Sequence, residues 1–167
     1  MSQELVFEEV IAHNKQSIYR ICLVYAIAPM EPQDLFQEVI YQAWKSWSGF
    51  EGRASPGTWL YRIALNVCMA AKYQDSRKEV SKLSLDSVEF KLAAPLPDEQ
   101  EQAKHRALQA CIASLPEAER SLVVLYLEDL PYREIAQVLG ISENHVAVKM
   151  KRIRAKLFAC ITQKLAQ

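Results

Sequence analysis

Apolar residues recur through most of this chain at intervals of three and four, the spacing of a helix face buried against a neighbour. From about Leu5 to Ile27 the stripe is Phe7, Val10, Ile11, Ile18, Ile21 and Tyr25, and Pro29 and Pro32 punctuate its end. A second helix is expected from near Gln33, with Asp34 favourably placed against the N-terminal dipole. It runs through Leu35, Phe36, Val39, Ile40 and Ala43 to about Trp47. Ser48 to Arg53 carries Gly49 and Gly52 and reads as a loop. A third helix follows from about Ser55, with Pro56 in its first turn, through Trp59, Leu60, Ile63, Ala64 and Val67 to about Tyr73.

Residues 76–98 break the pattern. Arg77-Lys78-Glu79 is charged, serines are dispersed, and Pro95 and Pro97 bracket a single leucine, so the stretch reads as an interdomain linker. Helical spacing resumes from about Glu99 to Ser114, halts at Leu115-Pro116, and returns with Leu122, Val123 and Tyr126 up to about Leu127. Pro131 opens a short helix, Tyr132 to Leu139. Gly140-Ile141-Ser142 then forms a turn, and a long helix runs from Glu143 toward Lys164. The expected fold is all-α: two small helical domains, 1–75 and 99–167, joined by the flexible linker 76–98.

Composition narrows the class. Of 167 residues, 50% are hydrophobic, 24% are charged and only 4 are glycine, which suits a globular helical protein. Met1-Ser2-Gln3-Glu4 carries no positive charge, and the longest apolar stretch, Ile21 to Met30, is far short of the ~20 residues a spanning helix needs. A cytoplasmic chain without direct membrane contact is expected. Cys22, Cys68, Cys111 and Cys160 are scattered, with no CxxC pair and no histidine at helical spacing. They read as part-buried apolar filler rather than as disulfides. His13, His105 and His145 fall in separate segments, and no nucleophile–base pair or phosphate-binding loop appears, so neither an enzyme nor a cofactor is expected.

The formal charge of zero conceals four alternating blocks. Residues 1–44 are net −4, residues 45–82 net +4, residues 83–102 net −4 and residues 103–167 net +4. Two basic blocks separated by an acidic one suggest two contacts with a polyanion.

Tyr132 to Leu157 is the most informative segment. Ile135 and Ala136 precede Leu139, Gly140 can adopt the left-handed helix-ending conformation, and Ser142 is a good N-cap. In the last helix Val146, Met150, Ile153 and Leu157 form one apolar stripe at intervals of 4, 3 and 4. Off that stripe lie Lys149, Lys151, Arg152, Arg154 and Lys156, five cations within eight residues. A helix that enters the major groove must show apolar residues to its own domain and donors to bases and phosphates. The pattern is that of a DNA-binding helix-turn-helix.

In the first half, Asp34, Gln37 and Glu38 are expected together on one polar helix face, opposite the hydrophobic residues. Phe50-Glu51-Gly52-Arg53-Ala54-Ser55 follows as a loop, and then Thr58 through Asn66, a helix carrying Trp59 and Arg62. Aromatic residues interleaved with arginine beside a glycine-bearing loop suit the capture of unstacked bases.

Together these segments resemble sigma factors of the extracytoplasmic-function group, within the sigma-70 superfamily. The Asp-Leu-x-Gln-Glu motif of that family is met by Asp34, Leu35, Gln37 and Glu38. Its Phe-x-Gly-x-Ala-Ser loop is met by Phe50, Gly52, Ala54 and Ser55, and its Thr-Trp-Leu-Tyr-Arg-Ile-Ala-x-Asn helix by Thr58 through Asn66. Leu115-Pro116 with Arg120 matches Leu-Pro-x-x-x-Arg, and Tyr132 to Ser142 matches Tyr-x-Glu-Ile-Ala-x-x-Leu-Gly-Ile-Ser. The resemblance covers nearly the whole chain except the linker. Departures are Asn144-His145-Val146 where the family has Gly-Thr-Val, and Pro56-Gly57 in place of Phe-Arg.

The resemblance implies a mechanism. Asp34, Leu35, Gln37 and Glu38 would dock on the clamp helices of the beta-prime subunit of core RNA polymerase, and the second domain would also meet the beta flap. Phe50, Glu51, Gly52, Arg53, Ala54, Ser55, Trp59, Arg62 and Asn66 would hold the minus-ten element. Ser142, Glu143, Asn144, His145, Lys149, Lys151, Arg152, Arg154 and Lys156 would read the minus-35 element. The linker would thread toward the RNA-exit path, and an anti-sigma partner would hold the factor inactive. Two other readings stay open: a helix-turn-helix regulator that does not engage polymerase, and a sigma-like mimic that titrates an anti-sigma factor.

Overall fold

A computed structural model of the chain describes residues 3–27, 29–75 and 98–167, and the linker expected at 76–98 lies, apart from Asp98, outside them. The described residues form seven helices and no strand. The chain divides into two compact units, 1–88 and 89–167. No helix among the described residues is long and apolar enough to cross a membrane.

The first unit is a bundle of α1 (Gln3–Tyr25), α2 (Pro32–Trp47) and α3 (Pro56–Asp75), each packed on the other two. Its core draws on all three: Ile18, Ile21 and Cys22 from α1, Leu35, Val39 and Ala43 from α2, Leu60, Ala64 and Cys68 from α3. Pro32 opens α2, where its missing N–H costs nothing because the first-turn donors have no helical acceptor. Gly57 permits a close approach at the start of α3. A Cβ there would lie 3.2 Å from the Asn14 side chain, which is itself fixed by donating to the Val10 carbonyl at 2.8 Å. Three boundaries differ by about two residues from the sequence expectation: α1 starts at Gln3 and ends at Tyr25, and α3 continues to Asp75.

The second unit comprises α4 (Glu99–Ser114), α5 (Glu117–Leu127), α6 (Tyr132–Leu139) and α7 (Glu143–Leu165). Asp98, grouped above with the linker, caps α4 by accepting the Gln100 N–H at 3.2 Å. The core gathers Ala107 and Ile112 of α4, Leu122 and Leu125 of α5, Ile135 and Val138 of α6, and Val146, Met150 and Ile153 of α7. Arg120 is buried and reaches back across the α4–α5 corner. Its guanidinium donates to the carbonyls of Ala113 (2.7 Å), Leu115 (3.0 Å) and Ile112 (3.4 Å). It therefore satisfies carbonyls that the end of α4 leaves without a helical donor, which is the physical content of Leu-Pro-x-x-x-Arg.

The cysteine expectation holds for one pair and fails for the other. Cys22 and Cys68 are free and fully buried. A hydrogen bond with Cys22, and then burial, push the Cys68 thiol far above its ordinary range. Cys111 and Cys160 are instead disulfide-bonded, their Cα atoms 6.0 Å apart. They are 49 residues apart in the chain, and only the packing of α4 on α7 makes them neighbours.

Candidate functional site

The polar face of α2 follows from the burial of its other side. Leu35 and Val39 point into the bundle, which turns Asp34 and Glu38, one turn apart, out to solvent. Both line an open groove of about 700 Å³ between α2 and α3, together with Gln42 and Asn66. Gln42 donates to the Glu38 carboxylate at 2.7 Å and so fixes its direction. Gln37 was expected on the same face but lies elsewhere, in an apolar hollow with Phe36, Ile40, Tyr41 and Trp44. At 100° per residue, i+3 lies about 60° from i but on the side away from i+4 and i+8, so Gln37 borders the next hollow and not the groove. Leu35 is 3% exposed, so it supports this face from beneath.

The loop after α2 rests on an aromatic floor. Phe50 stacks on Trp47 with ring centroids 5.3 Å apart, and Trp59 tilts against both at 5.2 and 5.6 Å. Trp47 is pinned by donating from Nε1 to the Gln3 carbonyl at 3.1 Å. Phe50 and Trp59 are therefore half-buried in the protein's own packing, while Glu51, Gly52 and Arg53 at the tip of the loop are exposed. Gly52 takes φ +70°, which an L side chain rarely adopts, and this turns the loop sharply at its tip. Glu51 and Arg53 pair across that tip at 2.6 Å, but with side chains 64% and 87% exposed the pair holds little. Ala54 is half-buried. Ser55 caps α3, its hydroxyl accepting the Thr58 N–H at 3.1 Å. Arg62 and Asn66 stand exposed one turn apart on α3. From the sequence, Trp47 reads only as a helix end; its three-residue spacing from Phe50 is the sequence signal for this cluster.

The turn between α6 and α7 has the expected geometry. Gly140 sits at φ 68°, and the Ser142 hydroxyl accepts the His145 N–H at 3.1 Å. Val146, Met150 and Ile153 are buried, while Glu143, Asn144, His145, Lys151 and Arg152 are exposed and Lys149 is half-exposed. Two of the five cations are partly engaged within the domain. Lys156 bridges both Glu119 carboxylate oxygens at 2.7 and 3.0 Å. Arg154 lies over the Tyr126 ring, 4.8 Å from its centroid, and donates to its hydroxyl. Lys149, Lys151 and Arg152 hold no ion pair among the described residues.

Residues 10–77 match the family model for Sigma-70 region 2, and residues 105–157 match that for Sigma-70, region 4. The chain belongs to the sigma-70 family. Its region 2 contains the α2 groove and the aromatic-floored loop, and its region 4 contains the helix-turn-helix. The chain is 28% identical over 151 residues to the ECF RNA polymerase sigma factor SigG of Mycobacterium tuberculosis, covering 76% of this chain and 41% of SigG. It thus spans less than half the length of that relative. Against the ECF RNA polymerase sigma factor SigW of Bacillus subtilis it is 25% identical over 161 residues, covering 90% and 86%. Among solved structures, the sigma factor RpoE in complex with the anti-sigma factor NepR, from Bartonella quintana, has TM-score 0.71 at 15% identity, covering 93% of this chain and 96% of that one. CnrH in complex with the cytosolic domain of CnrY has TM-score 0.70 at 20% identity, covering 96% and 90%. These last two likenesses show the fold.

Proposed function

We propose that this chain is an alternative sigma factor that binds core RNA polymerase and directs promoter-specific initiation. One observation carries the reading: a single chain of the sigma-70 family presents an acidic groove face on region 2 and a cationic reading helix on region 4. Residues 1–75 dock on the clamp helices of the beta-prime subunit through Asp34 and Glu38, with Leu35 setting the face from below. Gln37 contributes from the neighbouring hollow. Residues 99–167 bind the minus-35 element and the beta flap, and residues 76–98 link the two domains along the RNA-exit path.

The geometry supports a division of labour. At the minus-ten element, Glu51, Gly52 and Arg53 form the exposed tip, and Ala54 and Ser55 set its exit into α3. A base flipped from the opening duplex is received against the Phe50–Trp59 floor, flanked by Arg62 and Asn66. At the minus-35 element, the α7 N-terminus enters the major groove. Ser142, Glu143, Asn144 and His145 stand at the position from which recognition helices contact base edges. Lys149, Lys151 and Arg152 are placed for phosphates or bases, and Arg154 and Lys156 steady the helix while adding positive field. Sigma factors do no chemistry themselves, so the protein selects and opens DNA while the polymerase supplies catalysis. The fold neighbours named above were solved with regulatory partners, which supports an anti-sigma partner here too, acting on a cytoplasmic factor.

The test is assembly. Mixed with core polymerase, the chain should co-elute with it, and the assembled enzyme should retain a subset of fragments from a genomic DNA pool. DNA retained by the chain alone, with no co-elution, would replace this reading with that of a regulator independent of polymerase.

A further inference from the structure

The last third of α7 is poorly secured by packing. The stripe that is fully buried at Val146, Met150 and Ile153 gives way to half-exposed Leu157, Cys160 and Ile161. Phe158 is 75% exposed and Leu165 46%, so much of the apolar surface at this end of the helix is left to solvent. Cys160 lies at the next step of the same stripe, three residues beyond Leu157, and faces fully buried Cys111 on α4. A covalent link thus falls where non-covalent packing thins out, and one of its two sulfurs belongs to a residue that solvent reaches. The other cysteine pair is built oppositely: Cys22 and Cys68 are both fully buried in the three-helix core and both free.

We propose that Cys111 and Cys160 form a reversible dithiol–disulfide switch that sets how firmly the end of α7 is held on α4. The oxidant is a low-molecular-weight disulfide of the glutathione class. Cys160, the accessible member, loses its proton to solvent and attacks one sulfur of that disulfide, releasing one small thiolate and leaving a mixed disulfide. The Cys111 thiolate then displaces the second small thiolate and closes the Cys111–Cys160 bond. Two protein thiols and one small disulfide become one protein disulfide and two small thiols, and excess small thiol reverses the sequence. Oxidised, α7 is tied along its length; reduced, its last third frays. Because Arg154 and Lys156 stand just before that segment, fraying also loosens their contacts with Tyr126 and Glu119. The consequence for promoter binding rests on the function proposed above, whereas the switch itself does not.

The experiment uses the full chain equilibrated at neutral pH in a series of reduced and oxidised glutathione mixtures. Thiols are trapped by alkylation in the folded protein and located by peptide mass, and amide hydrogen exchange is followed over residues 155–165. The expected result is a Cys111–Cys160 bond present at the oxidised end of the series and absent at the reduced end. Cys22 and Cys68 stay unlabelled throughout. Exchange at 155–165 should rise at least tenfold on reduction, and Cys160→Ser, which leaves buried Cys111 in place, should match the reduced form under all mixtures. A bond that survives reduced glutathione would make the link a fixed brace and overturn the switch. So would failure of the bond to form with oxidised glutathione, or equal exchange in the two forms. A minus-35 duplex titration run alongside should show several-fold weaker binding by the reduced form. If neither form binds DNA, the functional reading fails while the exchange data still decide the switch.

Discussion

Arg120 offers the sharpest test of how region 4 is held together. Arg120→Ala removes a buried guanidinium that donates to the Ala113 and Leu115 carbonyls at 2.7 and 3.0 Å, with a weaker third contact to Ile112 at 3.4 Å. Hydrogen bonds from a charged donor contribute about 1.5–3 kcal/mol each, so the two short ones give roughly 3–6 kcal/mol. Ala113 and Ser114 are exposed, so water can reach part of the abandoned corner and offset some of that loss. The expected net cost is about 2–4 kcal/mol, which lowers the melting temperature of a domain this small by roughly 10–25 °C. Arg120→Lys should retain part of the stability, because an ammonium cannot match the planar fork that spans separate carbonyls. The chain carries an internal control. Its three tryptophans, Trp44, Trp47 and Trp59, all lie in region 2, so tryptophan fluorescence follows region 2 alone. Far-ultraviolet circular dichroism follows both regions. The variant should shift the region 4 transition down by dichroism and leave the fluorescence transition in place. A dichroism change under about 1 kcal/mol would refute the corner-clamp assignment, as would an equal shift in fluorescence.

Other consequences are as direct. Asp34→Lys or Glu38→Lys should abolish binding to core polymerase with little change in helicity or melting temperature, since both side chains are exposed; a loss of fold would make the groove face structural. Arg152→Ala and Lys149→Ala should weaken duplex binding and leave polymerase binding intact. A bidentate base contact would cost ~1–3 kcal/mol at one position, and a phosphate contact would lower affinity uniformly and reduce the salt slope by ~1. Lys156→Ala should instead lower region 4 stability slightly, seen by urea titration, because Lys156 is shared with Glu119. Gly140→Ala should destabilise region 4 by about 1–2 kcal/mol through backbone strain alone, since an added Cβ meets nothing within 4 Å; an unchanged urea midpoint would contradict the left-handed turn.

What the sequence made legible was local. Gly140, Ser142 and the Val146–Met150–Ile153 stripe lie within one turn and one helix, so spacing and capping chemistry specify them without knowledge of the rest of the chain. The linear pattern hides relations between elements. Gln37 parts from Asp34 and Glu38 because α3 sits on one side of α2, and nothing in α2 itself says which side. The sequence places Phe50 in the base-capturing loop but does not show that Trp47 and Trp59 converge on it from two helices and make it part of a floor. Lys156 and Glu119 are 37 residues apart and Cys111 and Cys160 are 49 apart, so α4–α5–α7 packing alone turns a cationic stripe into a partly neutralised one and a scattered cysteine pair into a bond. Asp98 falls in the acidic stretch that reads as linker, although Asp98 followed three residues later by Glu101 is a helix-start signal in its own right, and its carboxylate does accept the Gln100 N–H.

The central claim is that this chain directs initiation, and transcription in vitro tests it most directly. Purified chain, core polymerase and a pool of genomic fragments would be incubated with nucleotides, and the 5′ ends of the products sequenced. The account predicts discrete start sites on a small subset of fragments, each preceded by a shared pair of elements, and their loss with Glu38→Lys. Products no different from those of core polymerase alone, with the chain active in no fragment, would contradict it.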